Sequence, residues 1–366
     1  MARKILNEFK TEYVQVLDEN GNADEKLMPD ISDNEIKKMH ELMVLARSFD
    51  QKAFNMQRQG KLGTYIQIKG QEACQIGSAL ALKNEDWVFP IYRDSGLLIA
   101  RNHPIVQILQ YWKGDERSMK SPEGINNFPI SIPVGTHIPH AVGAAFASKL
   151  LGKKEVALVS FGDGATSKGD FHEGLNFAGV FKAPVIFLCQ NNQFAISVPL
   201  KKQTASETIA QKAVAYGIEG VQVDGNDVFG VYKIVKDAVE KARKGGGATL
   251  VECYTYRMAD HSTSDDSARY RSKSEQESWS KKDPVERLEK FMFKKGLLNE
   301  SEKQRILKEA QKKIDEAVEE FGKVPQQDKD DMFRFVFGNM TERQIEELEE
   351  LKRLDSWNNN NKIISK

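Results

Sequence analysis

The chain has 366 residues, of which 40% are hydrophobic and 29% charged, as is ordinary for a soluble globular protein. Its 53 lysines and arginines equal its 53 aspartates and glutamates, so no net positive field would gather nucleic acid or an anionic membrane surface. No apolar run approaches the ~20 residues that span a bilayer. We therefore expect neither nucleic acid nor membrane among its partners, and the length suggests roughly two domains.

The cysteines and the start of the chain bear on its location. Cys74, Cys189 and Cys253 lie far apart and form no C-x-x-C pair, which argues against a zinc site and favours reduced, apolar thiols. The first residues lead into a polar stretch instead of the apolar core of a signal peptide. These features predict a cytoplasmic protein.

The first predicted elements are an arm and a long helix. Residues 1–31 are expected to form an N-terminal arm, because Pro29 and a turn cluster at 19–22 interrupt regular structure. Ser32 and Glu35 form a capping box that begins a helix, which Gly60 ends. The next predicted elements are a helix at 71–82, a strand at 87–89, a loop at 119–133, a helix of small residues at 135–151 and a strand at 156–161.

Strands and helices then alternate. The segments are a helix at 170–181, a strand at 185–189, a helix at 209–216, a strand at 220–223, a helix at 228–243 and a strand at 250–256. Such alternation predicts an α/β fold: a doubly wound, mostly parallel sheet with helices on both faces. A polar loop at 257–276 follows. We expect an α/β domain at 32–280, a helical C-terminal region at 281–355 and a flexible tail at 356–366.

Two polar motifs follow neighbouring predicted strands. Gly162-Asp163-Gly164 ends the first, and Asn191-Asn192 ends the second after 26 intervening residues. Mg²⁺ prefers hard oxygen ligands and keeps part of its shell for phosphate and water. The Asp163 carboxylate, the Asn192 amide oxygen and the Phe194 carbonyl would supply half of that shell, and two diphosphate oxygens and a water the rest. The pattern is the signature of thiamine diphosphate enzymes.

Glycines and backbone amides complete this predicted diphosphate site. Gly162 and Gly164 allow a sharp turn and a close approach to phosphate, and the amides of Gly164 and Ala165 can donate to its oxygens. An isolated Gly-Asp-Gly is usually only a turn, but its placement together with the asparagines favours a cofactor site. A nicotinamide fingerprint fails at Ser167, and a Walker loop fails at Asp170.

Several motifs together resemble a known family, over roughly residues 10–350. They are GQEA at 70–73, PIYRD at 90–94, GDGATS at 162–167, QNNQFAIS at 190–197, VDGNDV at 223–228 and HSTSDD at 261–266. The chain resembles the alpha subunit of the heterotetrameric thiamine diphosphate-dependent 2-oxo acid dehydrogenases. It is most similar to the bacterial pyruvate dehydrogenase type, and segments 223–228 and 261–267 are also similar to branched-chain relatives.

The resemblance implies the thiamine diphosphate-binding fold, thiamine diphosphate and Mg²⁺ as cofactors, and oxidative decarboxylation of a 2-oxo acid. The acyl fragment would pass to the lipoyl domain of a dihydrolipoyl acyltransferase core. An α2β2 heterotetramer is implied, in which the beta subunit supplies the aminopyrimidine site and the activating glutamate. Pyruvate is the expected substrate. The alternatives are a branched-chain 2-oxo acid and a non-catalytic assembly subunit, whereas a self-sufficient enzyme such as a transketolase needs a longer chain.

The resemblance also implies roles for residues outside the two motifs. Tyr92 and Arg93 would lie in the phosphate pocket, where Arg93 can contact diphosphate oxygens with both ends of its guanidinium. Backbone groups at Val134 would touch the aminopyrimidine or its linker. His261 would lie near the diphosphate and the reacting carbon, and donate or relay a proton. From the residues alone, a surface ion pair for Arg93 and a solvated loop histidine remain alternatives.

His137 and His140 suggest a second possibility, a metal pair. Pro139 lies between them and is expected to break the helical spacing that would bring both imidazoles together. The sequence therefore argues against a metal site there.

Overall fold

The computed structural model describes residues 3–364, with side chains described as far as residue 356. The chain divides into two compact units, Met1–Phe321 and Gly322–Lys366. The first unit contains the sheet and most of the helices. It also includes residues 281–321, which are a little over half of the region 281–355 that the sequence assigned to a separate helical part.

The first unit is built on a six-stranded sheet in which every pair of neighbours is parallel. Its strands are β1 (Glu12–Val14), β2 (Trp87–Phe89), β3 (Ala157–Gly162), β4 (Val185–Asn191), β7 (Glu219–Asp224) and β8 (Thr249–Tyr254). A separate antiparallel hairpin joins β5 (Phe194–Ala195) and β6 (Val198–Pro199). The sheet order is β1-β7-β8-β4-β3-β2, so the chain moves in one direction from β2 through β3 and β4 to β7, and then turns back to place β8 between β7 and β4. In open parallel sheets, ligands bind outside the carboxyl ends of strands near such a change of direction.

Helices cover both faces of the sheet, as the alternation predicted. They are α1 (Asp33–Arg58), α2 (Glu72–Leu80), α3 (Ser95–Ala100), α4 (Ile105–Lys113), α5 (His137–Leu150), α6 (Gly169–Phe181), α7 (Val228–Arg243), α8 (Lys273–Ser280), α9 (Pro284–Lys294) and α10 (Glu300–Lys323). Short 3₁₀ turns span Glu116–Met119, Asp163–Ser167, Leu200–Lys202, Ala210–Tyr216 and Ser267–Arg269. The second unit contains α11 (Asp331–Arg334) and α12 (Glu342–Ile364). Among the described residues, no helix has the length and apolar character needed to cross a membrane.

The core forms two layers, because side chains of a strand alternate between its faces. Val159 of β3 packs with α5 and α6, in a cluster that includes Ile138 and Leu175. Leu158 points the other way and packs with α2 and α7, in a cluster that includes Val235. Both faces of the strands are buried, which explains why they are continuous apolar runs in the sequence.

Most predicted elements agree with the structure within a few residues. The capping box of Ser32 and Glu35 is present at the start of α1. The prediction for Pro139 was wrong: α5 runs through it, because proline in the first turn of a helix lacks only an amide that would have no helical partner. The two imidazoles nevertheless have separate partners, since His137 Nε2 lies 2.7 Å from the Ser160 carbonyl oxygen and His140 Nδ1 3.0 Å from that of Thr136.

Three segments carry more regular structure than the sequence suggested. The arm contributes β1, and the carboxylate of Asp227 ties it down by accepting from the amides of Val16 and Leu17 at 2.6 and 2.8 Å. Helix α8 begins inside the predicted loop at 257–276. The backbone of α12 extends through residue 364 and so includes most of the expected flexible tail, of which residues 365–366 lie outside the described part.

Candidate active site

The two sequence motifs meet because β3 and β4 are adjacent and parallel. Gly162 at the end of β3 is in register with Gln190 near the end of β4. Asp163 and Asn192 therefore follow neighbouring strand ends at the same edge of the sheet. Both side chains are buried.

A cavity of about 300 Å³ opens at this edge. All the residues that the sequence singled out for cofactor, metal or catalysis line it: Tyr92, Arg93, Val134, Asp163, Gly164, Ala165, Asn192, Phe194 and His261. They come from five separate segments of the chain, and only the packing of the sheet brings these segments together. Their individual roles stay predictions.

Asp163 lies at the start of a 3₁₀ turn between β3 and α6. Burial raises the pKa of its carboxyl group to about 6, against the opposing effect of a hydrogen bond from Gln203. Gln203 Nε2 donates to Asp163 Oδ2 at 2.6 Å. A carboxylate held in so dry a place is stabilised by a cation.

Asn192 and Phe194 present oxygen atoms beside this carboxylate. The Asn192 amide nitrogen donates to Gln71 Oε1 at 3.0 Å, so its oxygen faces the other way and accepts only a long bond, 3.3 Å, from the amide of Phe194. The Phe194 carbonyl accepts a weak hydrogen bond from Arg257 Nη1 at 3.4 Å. Each oxygen thus keeps a lone pair for another partner. One carboxylate, one amide oxygen and one carbonyl oxygen form a donor set that fits Mg²⁺.

The glycines of the turn differ in their physical role. A Cβ atom at Gly164 would lie 2.8 Å from the Cβ of Ala195, so the loop after β4 permits no side chain there. Gly162 has ordinary extended backbone angles, φ −88° and ψ 168°, and a Cβ there would meet nothing within 4 Å. The turn itself therefore does not require glycine at 162, contrary to the sequence interpretation, and that side of the cavity is open.

Arg93 and His261 line the same cavity and bond to each other. Arg93 Nη2 donates to both Nδ1 and the carbonyl oxygen of His261, at 3.1 and 3.0 Å, and its Nη1 donates to the carbonyl of Gln67. Burial and the nearby Arg257 lower the pKa of Arg93 to about 10, which still leaves it cationic at neutral pH. A buried guanidinium facing the cavity is suited to a phosphate group.

His261 is neutral in this environment. Burial and then the charges of Arg93 and Arg257 lower the pKa of its imidazole to about 3. Because Nδ1 accepts from Arg93, the hydrogen of the neutral ring resides on Nε2. The ring of Tyr92 contacts it edge-on, with centroids 6.4 Å apart. His261 can therefore act as an oriented, uncharged N–H donor.

Val134 lies at the mouth of the cavity and is 43% exposed. The neighbouring Gly135 has a φ of +87°, a conformation that disfavours any residue with a side chain. Together they lead the chain from the cavity into α5 two residues later.

Five polar side chains of the site were given no role from the sequence: Gln71, Lys168, Gln190, Arg257 and Gln203. The first three line the cavity, Arg257 binds carbonyls of the loop after β4, and Gln203 holds Asp163. Gln71 and Gln190 were visible within two of the motifs, and Arg257 lies four residues before His261. No sequence pattern pointed to Gln203, because it contacts Asp163 across 40 positions of the sequence.

Elsewhere among the described residues, no three histidine, cysteine, aspartate or glutamate side chains converge in a way that could hold a metal ion. The candidate metal centre has a different composition, with a single carboxylate beside amide and backbone oxygens.

Comparison with known proteins agrees with this geometry. Residues 40–329 match the family model for the dehydrogenase E1 component. The chain belongs to the dehydrogenase E1 component family. It is 42% identical, over 97% of both chains, to the pyruvate dehydrogenase E1 component subunit alpha of Staphylococcus aureus strain Mu50. It is 40% identical, again over 97% of both chains, to the subunit of that name from Staphylococcus epidermidis strain ATCC 35984. The family predicted from the sequence motifs is thereby confirmed, and so is the α/β fold.

Proposed function

We propose that the chain is the alpha subunit of a pyruvate dehydrogenase first component. It would use thiamine diphosphate to decarboxylate pyruvate and pass the acetyl group to a lipoyl group. The observation that carries this proposal is the convergence of Asp163, Asn192 and Arg93 on one cavity, in a chain similar over nearly its whole length to alpha subunits of that enzyme.

The cavity has separate groups for a cation and for a diphosphate. Asp163, Asn192 and the Phe194 carbonyl would hold Mg²⁺. Arg93, Tyr92 and the amides of Gly164 and Ala165 would hold the diphosphate. When bound, thiamine diphosphate supplies the electron sink for loss of carbon dioxide, so the protein contributes placement and electrostatics.

His261 would contribute a hydrogen bond. With its pKa far below neutrality, the imidazole has no proton to give up as an imidazolium. Its Nε2–H can instead stabilise oxygen atoms of the substrate or cofactor, and two arginines fix its orientation. This proposal refines the proton relay expected from the sequence.

A beta subunit would complete the site. An apolar face is exposed on α5 and α6, where Leu150, Leu151 and Val180 are 71%, 72% and 68% exposed. Phe177 and Phe181 of α6 are also exposed, with ring centroids 4.4 Å apart. Exposed apolar patches of this kind mark protein interfaces. These side chains lie toward the carboxyl ends of α5 and α6, whereas the cavity adjoins the amino ends, so a subunit that covers both helices along their length would also reach the cofactor.

The test is co-expression with a beta subunit, followed by calorimetry with thiamine diphosphate and Mg²⁺. The wild-type tetramer should bind the cofactor only with metal present, and Asp163→Ala should abolish that binding. Normal affinity in the variant would refute the metal assignment, and no binding by the wild-type tetramer would favour a non-catalytic assembly subunit.

Substrate choice needs a separate assay. Comparing turnover of pyruvate with that of 3-methyl-2-oxobutanoate, with a lipoyl domain as acceptor, distinguishes the proposed reaction from the branched-chain alternative. Preference for the branched acid would overturn pyruvate as the substrate. Acyl transfer to the lipoyl domain would support a dihydrolipoyl acyltransferase as the partner.

A further inference from the structure

A chain of hydrogen-bonded side chains runs behind the candidate metal ligands. Gln190 Nε2 donates to Asp94 Oδ1 at 2.6 Å, and Gln71 Nε2 donates to Gln190 Oε1 at 2.7 Å. Asn192 Nδ2 then donates to Gln71 Oε1 at 3.0 Å. Asp94, Gln71 and Gln190 are at most 1% exposed, so water does not compete for these bonds.

This series of hydrogen bonds has a fixed donor-to-acceptor direction. A carboxylate only accepts hydrogen bonds, whereas a side-chain amide has one donating and one accepting end. Asp94 therefore requires Gln190 to turn its nitrogen toward it and its oxygen away. The same constraint passes to Gln71 and then to Asn192. At the far end, the Asn192 oxygen is left pointing to the candidate cation position.

Neighbouring groups block the reverse arrangement. The amide of Ile91 donates to Asp94 Oδ2 at 2.8 Å. Ser160 Oγ donates to Asp94 Oδ1 at 3.2 Å and accepts from Gln190 Nε2 at 2.7 Å. Gln75 Nε2 makes a second donation to Gln190 Oε1 at 3.2 Å. The bonds to Ser160 and from Gln75 therefore favour the same orientation of Gln190 that Asp94 requires, and the Ile91 and Ser160 bonds hold Asp94 in place.

We propose that Asp94 is a positioning residue which, through Gln190 and Gln71, makes Asn192 present its oxygen to the bound cation. This inference rests on the proposed magnesium and thiamine diphosphate site. If the amide of Asn192 reversed, its NH₂ group would face the cation, and one of the three protein ligands would be lost.

Asp94→Asn tests the proposal. The new amide keeps its oxygen for the backbone N–H of Ile91 and turns its NH₂ toward Gln190. This favours a reversed orientation of the side-chain amides of Gln190, Gln71 and Asn192. We expect Mg²⁺ affinity to fall roughly 10- to 100-fold, as for other residues that orient metal ligands. The measurement is a calorimetric Mg²⁺ titration of the αβ tetramer at saturating thiamine diphosphate, with thermal unfolding as a check on folding.

A second substitution should restore the orientation. In the double variant Asp94→Asn with Gln190→Glu, the new carboxylate accepts both from the amide at 94 and from Gln71 Nε2. Mg²⁺ affinity is expected to return to within a few-fold of the wild type. Asp227→Asn is the matched control, because Asp227 is equally buried and its carboxylate accepts from the backbone amides of Val16, Leu17 and Phe229. It should lower stability and leave Mg²⁺ affinity unchanged.

The outcomes separate the two proposals. If the wild-type tetramer does not bind thiamine diphosphate with Mg²⁺, the proposed function fails. If it binds and folded Asp94→Asn shows wild-type Mg²⁺ affinity, the positioning role is refuted. Failure of the double variant to recover affinity also refutes it. Should Asp94→Asn not fold, Gln71→Met interrupts the same chain at its middle, and wild-type Mg²⁺ affinity in that folded variant would overturn the proposal.

Discussion

Arg93 binds His261 twice, through Nδ1 at 3.1 Å and through the backbone carbonyl at 3.0 Å, both from the same guanidinium nitrogen. These residues are 168 positions apart. One side chain thus fixes the tautomer of the imidazole and the position of the loop that carries it. Together with burial and the charge of Arg257, the charge of Arg93 keeps the histidine uncharged.

Arg93→Lys should weaken cofactor binding. A lysine carries one charged nitrogen and cannot keep the His261 contacts, the Gln67 contact and a diphosphate contact together. We expect the dissociation constant of thiamine diphosphate in the tetramer to rise about tenfold or more, since a hydrogen bond to a charged group contributes about 1.5–3 kcal/mol. Arg269→Lys is the control, because Arg269 lies exposed in the loop that carries His261. Equal affinities for wild type and Arg93→Lys would contradict the assignment.

His261→Ala should spare assembly and reduce acyl transfer. The imidazole contacts Tyr92, Arg93 and Arg257 beside the cavity and belongs to neither layer of the hydrophobic core, so size-exclusion of the tetramer should be unchanged. Loss of an oriented donor in a dry site costs on the order of 100-fold in turnover. The readout is lipoyl-dependent turnover, compared with His140→Ala, whose imidazole is exposed and bonds Thr136. Unchanged turnover would remove His261 from the reaction.

The low pKa of His261 predicts a pH dependence of stability. In the unfolded chain the imidazole takes up a proton near pH 6.5, whereas in the folded chain it does so only near pH 3. Between these values the unfolded state binds more protons, so the free energy of unfolding decreases as the pH falls. In His261→Asn the free energy of unfolding should fall less steeply between pH 6 and 4, by the slope that corresponds to the uptake of about one proton on unfolding. Urea unfolding at several pH values measures it, and an unchanged slope would show that the folded imidazole titrates normally.

The two glycines of the turn give a matched pair. Gly164→Ala would place a methyl group 2.8 Å from the Cβ of Ala195, and overpacking of this kind costs about 1–3 kcal/mol. Gly162→Ala meets nothing within 4 Å and should leave the stability of the folded chain nearly unchanged. Thermal unfolding compares them directly. Equal stabilities would mean that the loop after β4 moves aside without cost.

Substitutions on the apolar face of α5 and α6 test the proposed beta interface. Val180→Lys should prevent tetramer formation, because an ammonium group buried in an interface is costly without a partner. Leu307→Lys is the control: Leu307 is 47% exposed and lies on a different helix, α10. Size-exclusion after co-expression gives the answer. Assembly of the Val180 variant at wild-type yield would place the beta subunit elsewhere.

The sequence by itself determined the family, the alternation of strands and helices, and the identity of the candidate ligands. These depend on short-range patterns: apolar periodicity, capping residues such as Ser32, and motifs within a few positions of one another. It missed β1, because a three-residue edge strand has too little periodicity to detect. It misjudged Pro139, because tolerance of proline depends on its position within the first helical turn.

Only the tertiary structure decided how those residues act on one another. The neutral state of His261 follows from burial and from the two arginines packed against it, and the orientation of Asn192 follows from a buried carboxylate reached through two glutamines. These effects join residues 168, 96 and 121 positions apart. Local sequence patterns carry no record of such contacts, because the packing of the sheet and its helices creates both the proximity and the exclusion of water.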